Sequence, residues 1–145
     1  MDNQKRLLEE VMADLYRILP TLNVVSKKLE DEMYPSEHLD ADTQFMIREL
    51  RSLGYQHIDK LVSQLRYLQK EVYYEGLLYI NGNGRYEVDG QELASGSVIE
   101  VWSERFDESA QWHIVRIEHS NLHGGYYAYQ WPELKLEGLK ARVRR

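Results

Sequence analysis

The side-chain period changes once along the chain, within the stretch Leu77–Gly90 (LLYINGNGRYEVDG), and this change limits the fold more than any other feature. Before the stretch, apolar residues recur about every 3.6 positions, as on an amphipathic helix, and after it they alternate, as on a strand. Two turn signals lie inside it, Asn81–Gly84 and Asp89-Gly90, and β-hairpins favour such Asn-Gly and Asp-Gly pairs. The sequence therefore predicts an α+β protein, with helices in residues 1–75 and strands in residues 76–145.

The N-terminal part carries a heptad pattern of apolar residues, a spacing typical of helices that pack along their length. The residues of the pattern are Leu8, Val11, Leu15, Ile18, Leu22, Val25 and Leu29. Pro20 lies inside the pattern, where it removes a backbone donor at a cost of about 3 kcal/mol. Either a second helix begins at Pro20 or one helix runs through with a kink. We favour the kinked helix, because the pattern keeps its phase across Pro20.

A second helix is predicted after the connector Met33–Asp40, which contains a proline and has no apolar period. Asp40 or Asp42 would cap its N-terminus. Its apolar stripe consists of Ile47, Leu50, Ile58, Leu61, Leu65, Leu68 and Val72. Gly54 lies on the same stripe and either ends one helix before the next begins at Tyr55, or allows two helices to approach closely. The N-terminal part is thus expected to be a long helical hairpin.

Two such helices cannot cover each other's apolar stripes completely. The remaining apolar surface must be buried either on the strands of the same chain or against a second copy. Heptad spacing without a third helix favours self-association, as a four-helix bundle or a coiled coil. We therefore expect a homodimer formed through the helices.

The C-terminal part reads as a series of short strands separated by glycine turns. After the opening hairpin come Val98–Trp102, Trp112–Glu118 and Tyr126–Trp131, and Lys140–Arg145 is expected to be a closing edge strand. Five or six strands within about 70 residues fit a small antiparallel SH3-like β-barrel better than a sandwich.

Charge and composition exclude several classes of protein. The net charge is −6 and the pI about 5.4, which argues against a surface built throughout for nucleic acid. The absence of cysteine excludes disulfides, thiolate metal sites and a cysteine nucleophile. No stretch approaches the ~20 apolar residues of a membrane span. We expect a soluble cytoplasmic protein.

The C-terminal half resembles a known domain family. The residues that carry the resemblance are Leu77–Ile80, Gly84–Tyr86, Glu92-Leu93, Ser95–Glu100, Trp112, Arg116–Glu118 and Gly125–Tyr127. The family is a domain of unknown function found in small proteins of Gram-positive plasmids and integrative elements. The resemblance implies a mobile-element context and transfers no catalytic residue.

No catalytic, cofactor or phosphate-binding signature is present in the sequence. His113, Glu118, His119 and His123 could contribute metal ligands, but their spacing defines no complete first shell. Gly82-Asn83-Gly84 lacks the third glycine and the following helix of a dinucleotide site. We therefore expect a protein that is not an enzyme and has neither cofactor nor metal.

The strand half is rich in aromatic residues, and Tyr and Trp make effective anchors of protein interfaces. We expect Trp102, Tyr127, Tyr129 and Trp131 to form a protein-binding face, with the last three projecting together from one strand. The net charge and the mobile-element context point to a partner such as a nucleic-acid-processing defence effector, inhibited as by anti-CRISPR or antirestriction proteins.

Nucleic-acid binding is the alternative function. Lys140, Arg142 and Arg144 alternate, so an extended C-terminus would present all three on one face, where they could follow a phosphate backbone while bases stack on the aromatic residues.

Overall fold

A computed structural model describes residues 2–105 and 108–145. The chain forms two compact units, a helical unit that ends at Gln69 and a β unit that begins at Lys70. Each unit has its own hydrophobic core. None of the helices in these described residues combines the length and the apolar content needed to cross a bilayer.

The helical unit contains three α-helices and two π-helical turns. Helix α1 (Asn3–Lys27) continues into a π-helical turn, Lys28–Glu32. Helix α2 (Ala41–Leu53) is joined to α3 (Asp59–Gln69) by the second π-helical turn, Gly54–Ile58. The predicted helical hairpin is therefore present, with its second arm built from α2, the turn and α3.

Two open questions about the helices have answers in the structure. Helix α1 runs through Pro20 without a break, so the single continuous helix is confirmed. Gly54 has ordinary helical dihedrals and does not end the chain's helical path. Instead, a Cβ built on Gly54 would lie 2.8 Å from Leu29 Cδ1, so the glycine allows the two arms to approach closely.

Of the two aspartates predicted to cap the second arm, Asp40 caps α2. Its carboxylate accepts a hydrogen bond from the Thr43 amide at 2.8 Å.

The placement of Val72 on the helical stripe is wrong. The last helix ends at Gln69, and Val72 begins the first strand. Val72-Tyr73-Tyr74 is a β-branched and aromatic run, which suits a pleated strand better than a helix. Helical periodicity extended to Val72 only because Leu68 and Val72 happen to be four residues apart.

The β unit consists of a five-stranded and a three-stranded antiparallel sheet. The larger sheet contains β1 (Val72–Leu77), β5 (Val98–Ser103), β6 (Gln111–Ser120), β7 (Gly125–Ala128) and β8 (Lys140–Arg144), in the order β1-β8-β5-β6-β7. The smaller sheet contains β2 (Tyr79–Ile80), β3 (Tyr86–Val88) and β4 (Gln91–Glu92), in chain order.

The turns at Asn81–Gly84 and Asp89-Gly90 connect β2 to β3 and β3 to β4, as predicted. Asp89 and Gly90 both have positive φ, 49° and 74°, as the tight turn between paired Val88 and Gln91 requires.

The strands do not close into the predicted SH3-like barrel. Among the described residues, β1 and β7 are the two edges of the larger sheet and are not paired with each other. Strands β2 to β4 contain only two or three residues each and hydrogen-bond with one another, so they do not bridge those edges. Val88 of β3 is buried in the same core as the residues of the larger sheet. The core residues are Leu78, Val88, Leu93, Ile99, Val101, Val115, Ile117, Ala128, Leu136, Ala141 and Val143.

The C-terminal strand lies in the interior of the sheet and not at its edge. Strand β8 pairs with β1 on one side and with β5 on the other. Ala141 and Val143 are buried in the core, so the strand is anchored from below as well as from both sides. The expectation of a closing edge strand is therefore wrong, although the predicted alternation of its side chains is correct.

Candidate functional site

One side of the five-stranded sheet packs on the core, and the other is open. Because side chains alternate along a strand, Ile99 and Val101 point into the core while Val98, Glu100 and Trp102 point away from it. Strand pairing sets Trp102 opposite Trp112, and Glu100 opposite both Ile114 and Arg142. We call this open side, formed by β1, β8, β5, β6 and β7, the outer face.

A buried ion-pair cluster lies at the centre of the outer face. Glu100 is only 4% exposed. Its Oε1 lies 2.6 Å from Arg142 Nη2, and its Oε2 lies 2.5 Å from Arg144 Nε. Arg142 Nε also donates to Oε1, at 2.7 Å. One carboxylate therefore orients two guanidinium groups, both presented by β8.

An exposed tryptophan lies beside this cluster. Arg142 stacks over the ring of Trp112 with its Cζ 4.1 Å from the centroid, and Lys140 Nζ lies 5.6 Å from the same ring. Trp112 in turn packs edge-to-face on Trp102, with centroids 5.3 Å apart. Trp102 is 41% exposed. The ion-pair cluster thus holds the Trp112 ring in place, and Trp112 in turn supports the exposed Trp102 ring.

A second group of aromatic residues lies at the β6–β7 side of the outer face. Arg116 stacks over Tyr129 with its Cζ 4.3 Å from the ring centroid, and its Nε is 2.8 Å from Glu118 Oε1. Tyr127 pairs across the strands with Glu118 and stacks on His123, with ring centroids 4.0 Å apart. Tyr127 and Tyr129 therefore lie on the same side as Trp102.

Trp131 does not share the outer face with these residues. Strand β7 ends at Ala128, and the Trp131 amide donates to the Ala128 carbonyl in a turn. The turn directs Trp131 to the core, where it packs edge-to-face on His113. The expected common projection of Tyr127, Tyr129 and Trp131 from one strand is wrong for Trp131, because β7 ends at Ala128 and the turn that follows directs this ring to the core.

The three predicted cations do share one face, and each of them has a carboxylate partner. Lys140 Nζ lies 3.0 Å from Glu75 Oε1, while Arg142 and Arg144 share Glu100. Sequence reasoning missed Glu100, Trp112, Ile114 and Arg116. A charged residue between Ile99 and Val101 was the available signal, since a carboxylate in the middle of an apolar strand requires a partner.

The histidines do not converge on a metal site. His113 Nε2 lies 3.1 Å from the Ser103 carbonyl oxygen, and His119 packs edge-to-face on Tyr126. Strand alternation sets Glu118 on the opposite side of β6 from both histidines. In the described residues, no three His, Asp or Glu side chains are grouped closely enough to hold a metal ion.

A separate polar cluster orders the β2–β3 turn. Asn81 Nδ2 donates to Glu87 and Glu92, at 2.7 and 2.8 Å, and Asn81 Oδ1 accepts from the amides of Asn83 and Arg85. The hydrogen bond from Asn81, followed by that from Asn83, lowers the pKa of Glu92 below its ordinary value of 4.5. The hydrogen bond to Glu87 raises the pKa of Tyr79. These hydrogen bonds join the turn to its neighbouring strands, which gives the cluster a structural role.

Comparison with known proteins identifies a domain family in the β unit. A search of the curated proteins and a search of the solved structures found no match to the chain. The predicted resemblance to a domain of unknown function is confirmed for the C-terminal half: residues 75–143 match the family described as Domain of unknown function (DUF5348).

Proposed function

We propose that the protein is a non-enzymatic binding protein that contacts a protein partner through the outer face. The observation that carries the proposal is the ordered, exposed Trp102, held on Trp112 and flanked by Ile114 and Arg142. Exposed Trp, Tyr and Arg side chains dominate the binding energy of protein interfaces. Rings already fixed in the free protein lose little further entropy on binding.

The charges of the outer face support a protein partner more than a phosphate backbone. Lys140, Arg142, Arg144 and Arg116 are all paired with carboxylates of the same face. A phosphate backbone would have to compete with the carboxylates for these cations. A protein surface that is apolar, or partly apolar and partly polar, can pack on the aromatic rings without breaking the ion pairs. Ile114, 51% exposed, adds apolar area between the two groups of rings.

The net charge of −6 supports a narrower proposal about the partner. An acidic protein associates fastest with a basic one, and nucleic-acid-processing effectors of host defence have basic grooves. We therefore keep inhibition of such an effector, in the manner of an anti-CRISPR or antirestriction protein of a mobile element, as the proposed role. Competition between the purified protein and the effector's nucleic acid tests this role, and an effector that cleaves equally well with a large excess of the protein would contradict it.

Single-stranded nucleic acid is the second candidate ligand. The observation in its favour is that Lys140, Arg142 and Arg144 lie on the same sheet face as Trp102 and Tyr129, an arrangement in which bases stack while cations contact phosphates. Binding of this kind weakens steeply with salt. Titration of tryptophan fluorescence with single- and double-stranded oligonucleotides at low and high salt distinguishes the two candidates.

Site-specific photocrosslinking tests the protein-binding proposal directly. A benzophenone amino acid at Ile114 should crosslink one discrete partner in lysate of the producing cells, and the same probe at Leu122, 95% exposed outside the face, should not. With the identified partner purified, Trp102→Ala should weaken binding by roughly 30-fold or more, as expected for a hot-spot residue. Tyr55→Ala, which removes an exposed ring from the helical unit, is the matched control. Equal crosslinking from both positions, or equal affinity of both variants, would overturn the proposal.

A further inference from the structure

A cavity of about 370 Å³ is lined by both arms of the helical hairpin. The first arm contributes Ser26 and Leu29, and the second contributes Gly54 and Asp59. Ligand pockets in proteins measure roughly 300–1,000 Å³, so this cavity has the size of a site for a small molecule. Its lining residues all belong to the helical unit, whereas the outer face belongs to the β unit.

Both π-helical turns described above border this cavity. The first turn, Lys28–Glu32, contributes Leu29 and Glu30, and the second turn, Gly54–Ile58, contributes its first two residues. The π-helical conformation is rare, and single π-helical turns within α-helices are frequently found at functional sites. Two such turns, one on each arm, meet at the same cavity. This observation is independent of the cavity's size and indicates a binding site at the same place.

The cavity wall includes a buried polar pair. Ser26 is only 8% exposed, and its hydroxyl donates to the carboxylate of Asp59, which belongs to the other arm. Burying a polar pair between two helices has a desolvation cost that two apolar side chains would avoid. A carboxylate has about four lone-pair positions, and the Ser26 hydroxyl uses one of them. A donor in the cavity can therefore bind the same carboxylate.

The charges around the cavity favour a cationic ligand. Glu30 and Asp59 contribute two carboxylates, and Arg51 contributes one guanidinium group. Nη1 of Arg51 donates to the carbonyls of Leu29 and Met33, at the end of the first arm. An anion would have to compete with these carbonyls for the guanidinium group while facing both carboxylates. A cation meets an excess of negative charge, to which the carbonyls at a helix C-terminus add.

We propose that this cavity binds a small organic ammonium ion, whose nitrogen donates to the Asp59 carboxylate and whose hydrocarbon part packs on Leu29 and the ring of Tyr55. Leu29 is buried and supplies an apolar wall, while Tyr55 is 79% exposed and lies at the open side of the cavity. The site is separate from the outer face and does not depend on the protein-binding proposal. Because both arms contribute groups, the bound ion should also stabilise the hairpin.

A series of compounds that share one carbon chain and differ in charge tests the proposal. Cadaverine carries ammonium groups, 1,5-pentanediol is neutral and glutarate is anionic, and tyramine is added as a bulkier amine. In NMR titrations of the ¹⁵N-labelled full chain, both amines should cause saturable shifts of the Ser26 and Gly54 amide signals at up to millimolar concentration. The diol and glutarate should not shift these signals.

Substitutions distinguish a specific site from a general attraction of cations to a protein of net charge −6. Asp59→Asn keeps the size of the side chain and an acceptor for Ser26, and should weaken cadaverine binding about tenfold or more, as expected when a hydrogen bond to a charged group is lost. Asp14→Asn, which removes an exposed carboxylate elsewhere on α1, is the matched control and should leave the affinity unchanged. Glu30→Gln, at an exposed position, should weaken binding less than Asp59→Asn and provides a second variant if Asp59→Asn does not fold, which circular dichroism shows.

Three results would overturn the proposal. Shifts of the Ser26 and Gly54 amides that do not saturate, or equal weakening by Asp59→Asn and Asp14→Asn, would show that amines are attracted by net charge alone. Saturable binding of glutarate or the diol with an affinity equal to that of cadaverine would show that the cavity does not select a cation. The absence of shifts with both amines would exclude an ammonium site.

Discussion

The Glu100 carboxylate lies on β5 with its Oε1 2.6 Å from Arg142 Nη2 on β8, and it is nearly inaccessible to solvent. The same carboxylate holds Arg144 through its other oxygen. The Glu100 carboxylate orders the outer face through Arg142, because Arg142 pairs with it and also stacks on the ring of Trp112. The geometry of the exposed Trp102 thus depends on a residue that a partner would not touch.

Replacing Glu100 with Gln should destabilise the β unit strongly. The substitution keeps the size of the side chain but leaves Arg142 and Arg144 partly buried without a counter-charge, and removing one member of such a cluster typically costs about 3 kcal/mol or more. Urea unfolding followed by tryptophan fluorescence measures the loss. Glu75→Gln, which breaks the more exposed pair with Lys140, is the control and should cost less than about 1 kcal/mol. Equal losses for the two variants would contradict the central role of Glu100.

The alternation of β8 was predictable from sequence, but its place in the sheet was not. Lys140, Arg142 and Arg144 alternate with Ala141 and Val143, and this local pattern correctly predicts which residues share a face. Strand order depends on pairing with residues far away in sequence, here β1 and β5, which a local pattern does not encode. Charged residues suggested an edge because the counter-charge, Glu100, is 42 residues away from Arg142.

For the helices too, the sequence predicts local features but not the contacts between residues far apart in the chain. Heptad spacing predicted both helical arms and the continuity through Pro20, since those depend on local period. Spacing alone did not show which side of α1 faces α3, because apolar residues recur at the same interval of seven on two neighbouring sides of this helix. The side of the helix that is buried is set by Gly54, whose lack of a side chain brings Leu29 into contact. That contact joins residues 29 and 54, which no single periodic segment contains.

Gly54→Ala should lower the stability of the helical unit despite the better helix propensity of alanine. The propensity gain is about 1 kcal/mol. Against it, the new Cβ would lie 2.8 Å from Cδ1 of the buried Leu29, and overpacking of this kind typically costs about 1–3 kcal/mol. We expect a net loss of about 1 kcal/mol, measured by chemical unfolding and helical circular dichroism.

A double-mutant cycle provides the control for Gly54. In a Leu29→Ala background the steric conflict is absent, so Gly54→Ala should become stabilising, and the change of sign identifies the contact. Gly82→Ala, at a position with no atoms within 4 Å and no positive φ, should be close to neutral. Gly54→Ala that stabilises the unmodified protein would show that Leu29 can move without cost.

Arg51 should contribute to the hairpin through backbone hydrogen bonds. Its Nη1 donates to the carbonyls of Leu29 and Met33, at 2.7 and 2.5 Å, where the first arm ends and intrahelical partners are missing. Arg51→Met keeps much of the side-chain volume and removes the donors, so we expect a loss of about 1.5–3 kcal/mol in the free energy of unfolding. Arg48→Met is the control, because Arg48 donates to the exposed side chain of Gln44, at 3.2 Å, and not to a helix-terminal carbonyl among the residues described. Similar losses for the two variants would contradict this role.

The β2–β3 turn should make stability depend on pH through Glu92. Hydrogen bonds from Asn81 and Asn83 lower the pKa of Glu92 in the folded protein below its ordinary value of 4.5. The stabilisation is therefore complete above about pH 4.5, where the unfolded carboxyl is also ionised, and is lost as the pH falls through the folded-state pKa. Asn81→Ala should raise the pKa of Glu92 towards 4.5 in a carboxyl NMR titration and reduce the dependence of stability on pH below that value. Asn83→Ala should shift the pKa less, since its hydrogen bond to Glu92 is 3.4 Å long. A Glu92 pKa that is unchanged in Asn81→Ala would show that the turn does not hold the carboxylate in solution.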